Sequence, residues 1–195
     1  MNEQMKKQIE FLTEIDKSKG ILRMNWMLDE SRREDDAQHA WHACITAMVL
    51  EEYAARPVDI GHVIQMLLVH DLVEIDAGDT YAYDEKGYET KQQREQAAAR
   101  RIYGILPGEQ GQKLCALWEE FEAGETDDAK FANAVDRVQP FWGNFSVCGR
   151  VWKENGIEAA QVIRRNKVTK EIMPKVWETV YQQIQQAVEN GWLKG

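Results

Sequence analysis

The stretch that most constrains this chain is an apolar run, Val63-Ile64-Gln65-Met66-Leu67-Leu68-Val69, leading without a break into His70-Asp71-Leu72-Val73-Glu74-Ile75-Asp76-Ala77-Gly78-Asp79. Such a run belongs in an interior, so the His-Asp pair arrives at the end of a buried helix. Ionised carboxylates are seldom buried without a partner. A divalent metal explains this crowding of titratable groups, because it turns mutually repelling carboxylates into ligands. The competing reading places Asp76 and Asp79 in a solvated loop and makes His70-Asp71 a helix terminus with its own hydrogen bonds.

Around this stretch the pattern is helical nearly throughout, with four prolines and no sustained alternation of apolar and polar residues. An all-α bundle is the expected fold. A first amphipathic helix is expected over 3–17, with Ile9, Phe11, Leu12 and Ile15 on its apolar face and Lys19-Gly20 ending it. Residues 21–36 are less regular and very polar, and read as a solvated loop. Ser31-Arg32-Arg33-Glu34 has the form of a capping box, and Asp35-Asp36 can also cap the next helix. A helix over 37–55 turns apolar all round after its first turns, as a central helix does. Asp59 caps a helix over 60–70. Residues 79–88 read as a loop, and Thr90-Lys91-Gln92-Gln93 as a box opening a helix over 91–104. Further helices are expected over 109–123, from about Asp128, over 141–152, 157–165 and 171–190. Pro140 cannot donate to the carbonyl of Asp136, so the ladder is kinked or loses a bond beside that carboxylate.

The length of 195 residues fits one domain, 1–195, with a core at about 19–145 and C-terminal helices 146–195 packing on it. No apolar run is long enough to span a membrane, and the N-terminus does not read as a secretory signal. The 24 basic and 33 acidic residues give a formal charge of -9, which argues against duplex nucleic acid as a partner. A small phosphorylated substrate stays open, because a metal and a few cations reverse the local field. Cys44, Cys115 and Cys148 form no C-x-x-C and suggest reduced thiols in a cytoplasmic protein.

All four histidines, His39, His42, His62 and His70, fall between 39 and 70. His39, His70, Asp71 and Asp136 make a mixed nitrogen/oxygen set suited to Mn, Fe, Co, Ni or Zn better than Ca. Four protein ligands leave an octahedral ion two open positions. Glu74 follows His70 by one turn and shares its face. Asp79, after the Gly78 turn, can fold back over the site. His42 reads as packed or supporting, and His62 as structural. Alone, Asp136 reads as well paired with Arg137 or water. Arg23, Arg32, Arg33, Lys91 and Arg94 are candidate phosphate contacts, each also explicable as surface charge.

Gln38-His39, His70-Asp71-Leu72-Val73-Glu74, Gly78-Asp79-Thr80 and Asp136-Arg137, in this order, resemble the HD-domain metal-dependent phosphohydrolases, and most closely their 5′-deoxynucleotidase branch. The likeness runs from about Lys19 to Pro140 and takes in Trp118-Glu119-Glu120-Phe121-Glu122. It implies an HD-type helical bundle and one divalent ion held by His39, His70, Asp71 and Asp136. It implies Glu74 and Asp79 as catalytic carboxylates, and Asp71, Asp79, Thr80 and Arg23 beside the nucleotide. The family's Arg-Trp pair upstream of the first histidine is split here into Arg23-Met24-Asn25-Trp26, and its usual Glu before that histidine is Gln38. Guanosine-tetraphosphate hydrolases of this superfamily carry a second carboxylate where this chain has Ile75. The expected reaction is hydrolysis of deoxynucleoside 5′-monophosphates. The alternatives are hydrolysis of another nucleotide phosphoester, or metal and nucleotide binding without turnover. Seven tryptophans and the apolar stripes over 131–152 suggest a homodimer.

Overall fold

The computed structural model describes residues 2–195. Its frame is α-helical. Helix α1 (Glu3–Ile15) is capped by Asn2, whose side chain accepts from the Met5 amide. A 3-10 turn, Asp16–Gly20, then delivers the chain to a short antiparallel hairpin, β1 (Leu22–Trp26) with β2 (Arg33–Asp35). This corrects the expectation of a solvated loop over 21–36. Leu22 faces Asp35 and Trp26 faces Arg33, with an irregularity between. The Ser31–Glu34 box does not form, since those residues close the hairpin. Asp35 caps instead: its carboxylate accepts from the Gln38 amide at 2.9 Å, and the Gln38 side chain accepts from the Asp35 amide. Glutamine completes such a box as glutamate does.

Helix α2 (Asp36–Leu50) is shorter than 37–55, and a 3-10 turn, Glu51–Tyr53, comes after it. Asp59 caps α3 (Ile60–Val69), whose Val63, Met66 and Leu67 are fully buried. The helix stops at His70, and a turn leads to the single turn α4 (Glu74–Ala77). Gly78 then takes φ +76°, a conformation that side chains with a Cβ rarely adopt. Helix α5 runs over Glu85–Tyr103, six residues ahead of the expected start, so Thr90 lies inside it and opens nothing.

Helix α6 (Glu109–Ala123) ends at Gly124, and Thr126 caps α7 (Asp127–Ser146), which carries Pro140 within its length. Helix α7 packs on α2, α3, α6 and the later α10, so it is the central strut. The chain breaks at 147–149, where Cys148 and Gly149 both have positive φ. The expected helix over 141–152 is therefore two: the end of α7, and α8 (Arg150–Asn155). Helices α9 (Ala159–Arg165), α10 (Lys167–Ile172) and α11 (Pro174–Glu189) complete the bundle. The proline at the start of α11 splits the single helix expected over 171–190. No helix among the described residues is long and apolar enough to cross a membrane.

Candidate metal centre and its cavity

Three helical segments converge on one point. The capped N-terminus of α2 presents His39 one turn in, the C-terminus of α3 presents His70 and Asp71, and the middle of α7 presents Asp136. His39 Nε2 lies 3.1 Å from Oδ1 of Asp136 and 3.8 Å from Oδ2 of Asp71. His70 Nε2 lies 3.0 Å from that Asp71 oxygen and 3.5 Å from that Asp136 oxygen. Both histidines and Asp136 are buried.

The remaining ring nitrogens fix the tautomers. His70 Nδ1 donates to the Leu67 carbonyl at 2.8 Å, and His39 Nδ1 to Oε1 of Gln139 at 2.7 Å. Each ring then turns Nε2 toward the carboxylates. His70 Nε2 is buried without a well-formed hydrogen bond. An orphaned imidazole nitrogen facing two carboxylates is what a cation would satisfy, so the donor set fits a divalent ion. The outer partners are those that orient metal-binding histidines. Gln139 in turn donates from Nε2 to Nδ1 of His42 at 2.9 Å, which gives His42 its supporting place. Phe121 covers His70, with ring centroids 4.7 Å apart, and Tyr103 Oη donates to the Val69 carbonyl to anchor the end of α3.

The electrostatics follow from burial. Burial works against the Asp71 and Asp136 carboxylates, but His70 with Arg23 in one case, and His39 with His70 in the other, hold them below their ordinary range. Burial lowers the tendency of His70 to carry a proton, and Asp71 and Asp136 more than reverse that. Burial, and then the Asp71 charge, push Glu74 well above its ordinary value and Asp36 up to about 7. Oxygens of Asp36, Asp71 and Glu74 lie within 4.8 Å of one another. Arg23 sits among them, held charged by Asp71, Glu74, Asp79 and Asp136 against its own burial.

These groups open onto a cavity of about 260 Å³ lined by Arg23, His70, Asp71, Glu74, Asp79, Thr80, Lys91, Glu95, Glu122 and Asp136. Of the expected ligands and catalytic residues, His70, Asp71, Glu74, Asp79, Thr80, Asp136 and Arg23 line it, and His39 lies buried against Asp136 beside it. Of the candidate phosphate contacts, Arg23 and Lys91 reach the cavity. Arg32, Arg33 and Arg94 do not: Arg32 donates to the Arg33 carbonyl, Arg33 covers Trp26 and pairs with Glu154, and Arg94 braces Ala77 and Thr80. Trp26 carries the Arg33 and Arg150 guanidiniums over its ring and does not line the cavity, whose rings are those of Tyr81, Tyr83, Tyr88, Phe121, Phe141 and Trp152. His62 is tied to Glu120 at 2.7 Å, and Asp76 to Arg101. Asp136 does not pair with Arg137. Its second oxygen lies 3.6 Å from Arg165 on α9.

Sequence reasoning does not single out Asp36, Gln139 or Arg165. Asp36 and Gln139 are within its reach, since each lies three residues from a ligand on a helix and so shares its face. Arg165 carries no such signal.

The fold and the buried His/Asp centre define a class, the HD-domain metal-dependent phosphohydrolases. The chain belongs to this family: a family model described as the HD domain matches residues 15–177. A crystal structure of a predicted metal-dependent phosphohydrolase from Magnetospirillum magnetotacticum superposes with a TM-score of 0.93 at 43% identity, over 98% of this chain and 96% of that one. A conserved hypothetical protein from Pyrococcus furiosus, 18% identical with a TM-score of 0.61 over 88% of this chain and 98% of that one, shares the fold. The human 5′-deoxynucleotidase HDDC2 is 28% identical over 132 residues, which span 67% of this chain and 63% of the human protein. Its Xenopus laevis counterpart is 27% identical over 135 residues, spanning 69% and 66%. The match therefore covers just under two thirds of these curated relatives.

Proposed function

We propose that this chain is a 5′-deoxynucleotidase, hydrolysing deoxynucleoside 5′-monophosphates to deoxynucleosides and phosphate. The observation that carries this reading is the meeting of His39, His70, Asp71 and Asp136 beside a cavity that also holds Glu74, Asp79 and Arg23. The activity named for the HDDC2 relatives supports the choice of substrate. Ile75, in place of a second carboxylate after Glu74, weighs against the guanosine-tetraphosphate reaction.

In this reading His39, His70, Asp71 and Asp136 hold one divalent ion of the Mn, Fe, Co, Ni or Zn group. When bound, the ion polarises the phosphoryl group and makes water a better nucleophile. Phosphoryl transfer needs in-line positioning and neutralisation of charge more than covalent help. Glu74 positions the attacking water. Burial raises the Asp79 carboxyl, which equips it as general acid for the departing sugar oxygen. The Arg23 guanidinium, reaching past Asp71 into the cavity, neutralises the phosphate. Thr80 Oγ1 accepts from Arg94 at 2.9 Å, leaving its own proton for the substrate.

The enzyme is proposed to work in the cytoplasm, in keeping with its three unpaired cysteines. A homodimer is proposed through Trp41, Ile45, Met48 and Val49, which form an exposed apolar stripe along α2.

The test is phosphate release from a panel of deoxy and ribo 5′-monophosphates. Protein stripped with chelator is refilled separately with Mn, Co, Zn or Mg and compared with Asp71→Ala. Metal-dependent release that favours deoxy substrates and is lost in Asp71→Ala is expected. No release with any bound metal would overturn the reading.

A further inference from the structure

A second pocket, of about 460 Å³, adjoins the metal cavity and shares Tyr83, Tyr88, Arg137 and Arg165 with it. Arg164 and Gln161 complete its basic side, and Glu85 is the one carboxylate in its wall. The chemistry of this wall is unusual for a chain with a net charge of -9. Arg165 reaches back to Asp136 at 3.6 Å and donates to Tyr88 Oη at 3.2 Å, so it stands on the boundary between the two spaces. Arg137 donates to the Arg165 carbonyl at 3.2 Å and to Asn133 Oδ1 at 2.9 Å. These partners are neutral, and Arg137 Nε is buried with no partner at all. Arg137, Arg164 and Arg165 thus line one pocket whose single carboxylate is Glu85, and an anion bound there supplies the guanidinium partners that the wall lacks.

We infer that Arg137, Arg164 and Arg165 form a second phosphate subsite, so that the substrate class extends to nucleotides carrying a further phosphate away from the one hydrolysed. This deepens the nucleotidase reading and rests on it for the reaction. A 5′-phosphate at the metal centre directs the rest of the nucleotide past Arg165. A 3′-phosphate then meets Arg137 and Arg164, with Tyr83 and Tyr88 alongside. Hydrolysis of a deoxynucleoside 3′,5′-bisphosphate adds water across the 5′ ester and leaves a deoxynucleoside 3′-monophosphate and inorganic phosphate.

The experiment compares deoxyadenosine 5′-monophosphate with deoxyadenosine 3′,5′-bisphosphate on metal-loaded protein, for the wild type, Arg164→Gln and Arg164→Lys. Arg164 is exposed, so its replacement spares the core. The expected kcat/KM is at least 10-fold higher for the bisphosphate. That ratio falls to near one in Arg164→Gln and is partly kept in Arg164→Lys. A calorimetric titration with deoxyadenosine 3′-monophosphate, which needs no turnover, should show at least 10-fold weaker binding to Arg164→Gln. Arg164-dependent binding without phosphate release from either nucleotide would leave the subsite standing and sink the nucleotidase reading. Release with a ratio of one in the wild type, or a ratio and affinity unmoved in Arg164→Gln, would overturn the subsite.

Discussion

Arg23 Nη1 lies 2.5 Å from Oδ2 of Asp71 and 3.2 Å from Oδ1 of Asp36, so one guanidinium from the hairpin joins the end of α3 to the start of α2. Such a group can neutralise phosphate from within the acidic floor. Replacing one charged donor aimed at developing negative charge typically costs 100-fold or more in turnover. Arg23→Gln is therefore expected to lower kcat/KM by about 100-fold on a 5′-monophosphate, with metal content by elemental analysis unchanged. Loss of bound metal in that variant would assign Arg23 to assembly of the centre instead.

Gln139 holds both His39 and His42. Removing its acceptor while keeping its bulk, as in Gln139→Leu, frees the His39 ring and should weaken metal affinity by about 10–100-fold. Gln139→Glu keeps an acceptor for His39 Nδ1 and should recover part of the loss. Competition with a chromogenic chelator measures both.

Asp36 gives the stripped protein a pH dependence with a definite sign. Its ordinary value is 3.8, and in the fold it is pushed up to about 7. Below 3.8 it is protonated in both states and contributes no pH dependence. Between 3.8 and about 7 the folded state holds the proton that the unfolded state has lost, so stability falls as pH rises. Urea unfolding of chelator-treated protein should show a midpoint that declines from pH 5 to pH 8, with a shallower decline in Asp36→Asn. Equal slopes would remove Asp36 as the cause.

Metal binding should stabilise the fold. The proposed ligands come from α2, the end of α3 and α7, and an ion that binds only the folded chain at 100 times its dissociation constant adds about 2.7 kcal/mol. Thermal unfolding with and without Mn or Co should differ by several degrees in the wild type. The difference should vanish in Asp136→Ala, which removes the α7 ligand.

Trp41 is 66% and Val49 64% exposed on the same stripe of α2. Double substitution Trp41→Glu and Val49→Glu is expected to yield monomers in sedimentation velocity at concentrations where the wild type is dimeric. A monomeric wild type would dismiss this face as an interface.

The ligand set is legible because its members sit on helices whose apolar faces can be read from one strand of sequence. His70 follows a run that can only be buried, and Asp136 lies among Phe131, Val135 and Val138 on one helix. The hairpin is not legible. Its strands are five and three residues long, too short for alternation to register, and its pairing is set across a turn in which Glu30 takes positive φ. Glu34, Asp35 and Asp36 look solvated in the sequence because nothing local says that Arg23 and the capped helix will enclose them. Arg165 is out of reach for a different reason. It meets Asp136 only because α10, which follows it, packs on α7 and brings the end of α9 there.

Ninety-seven residues separate His39 from Asp136. On a ribosome adding about 5–20 residues per second, roughly 5–20 seconds pass between them. For that interval the emerging chain carries His39 and then His70 and Asp71 without the carboxylate that closes the set. The centre therefore reports synthesis through α7: a chain cut short before it has three of the proposed ligands and no way to enclose the ion.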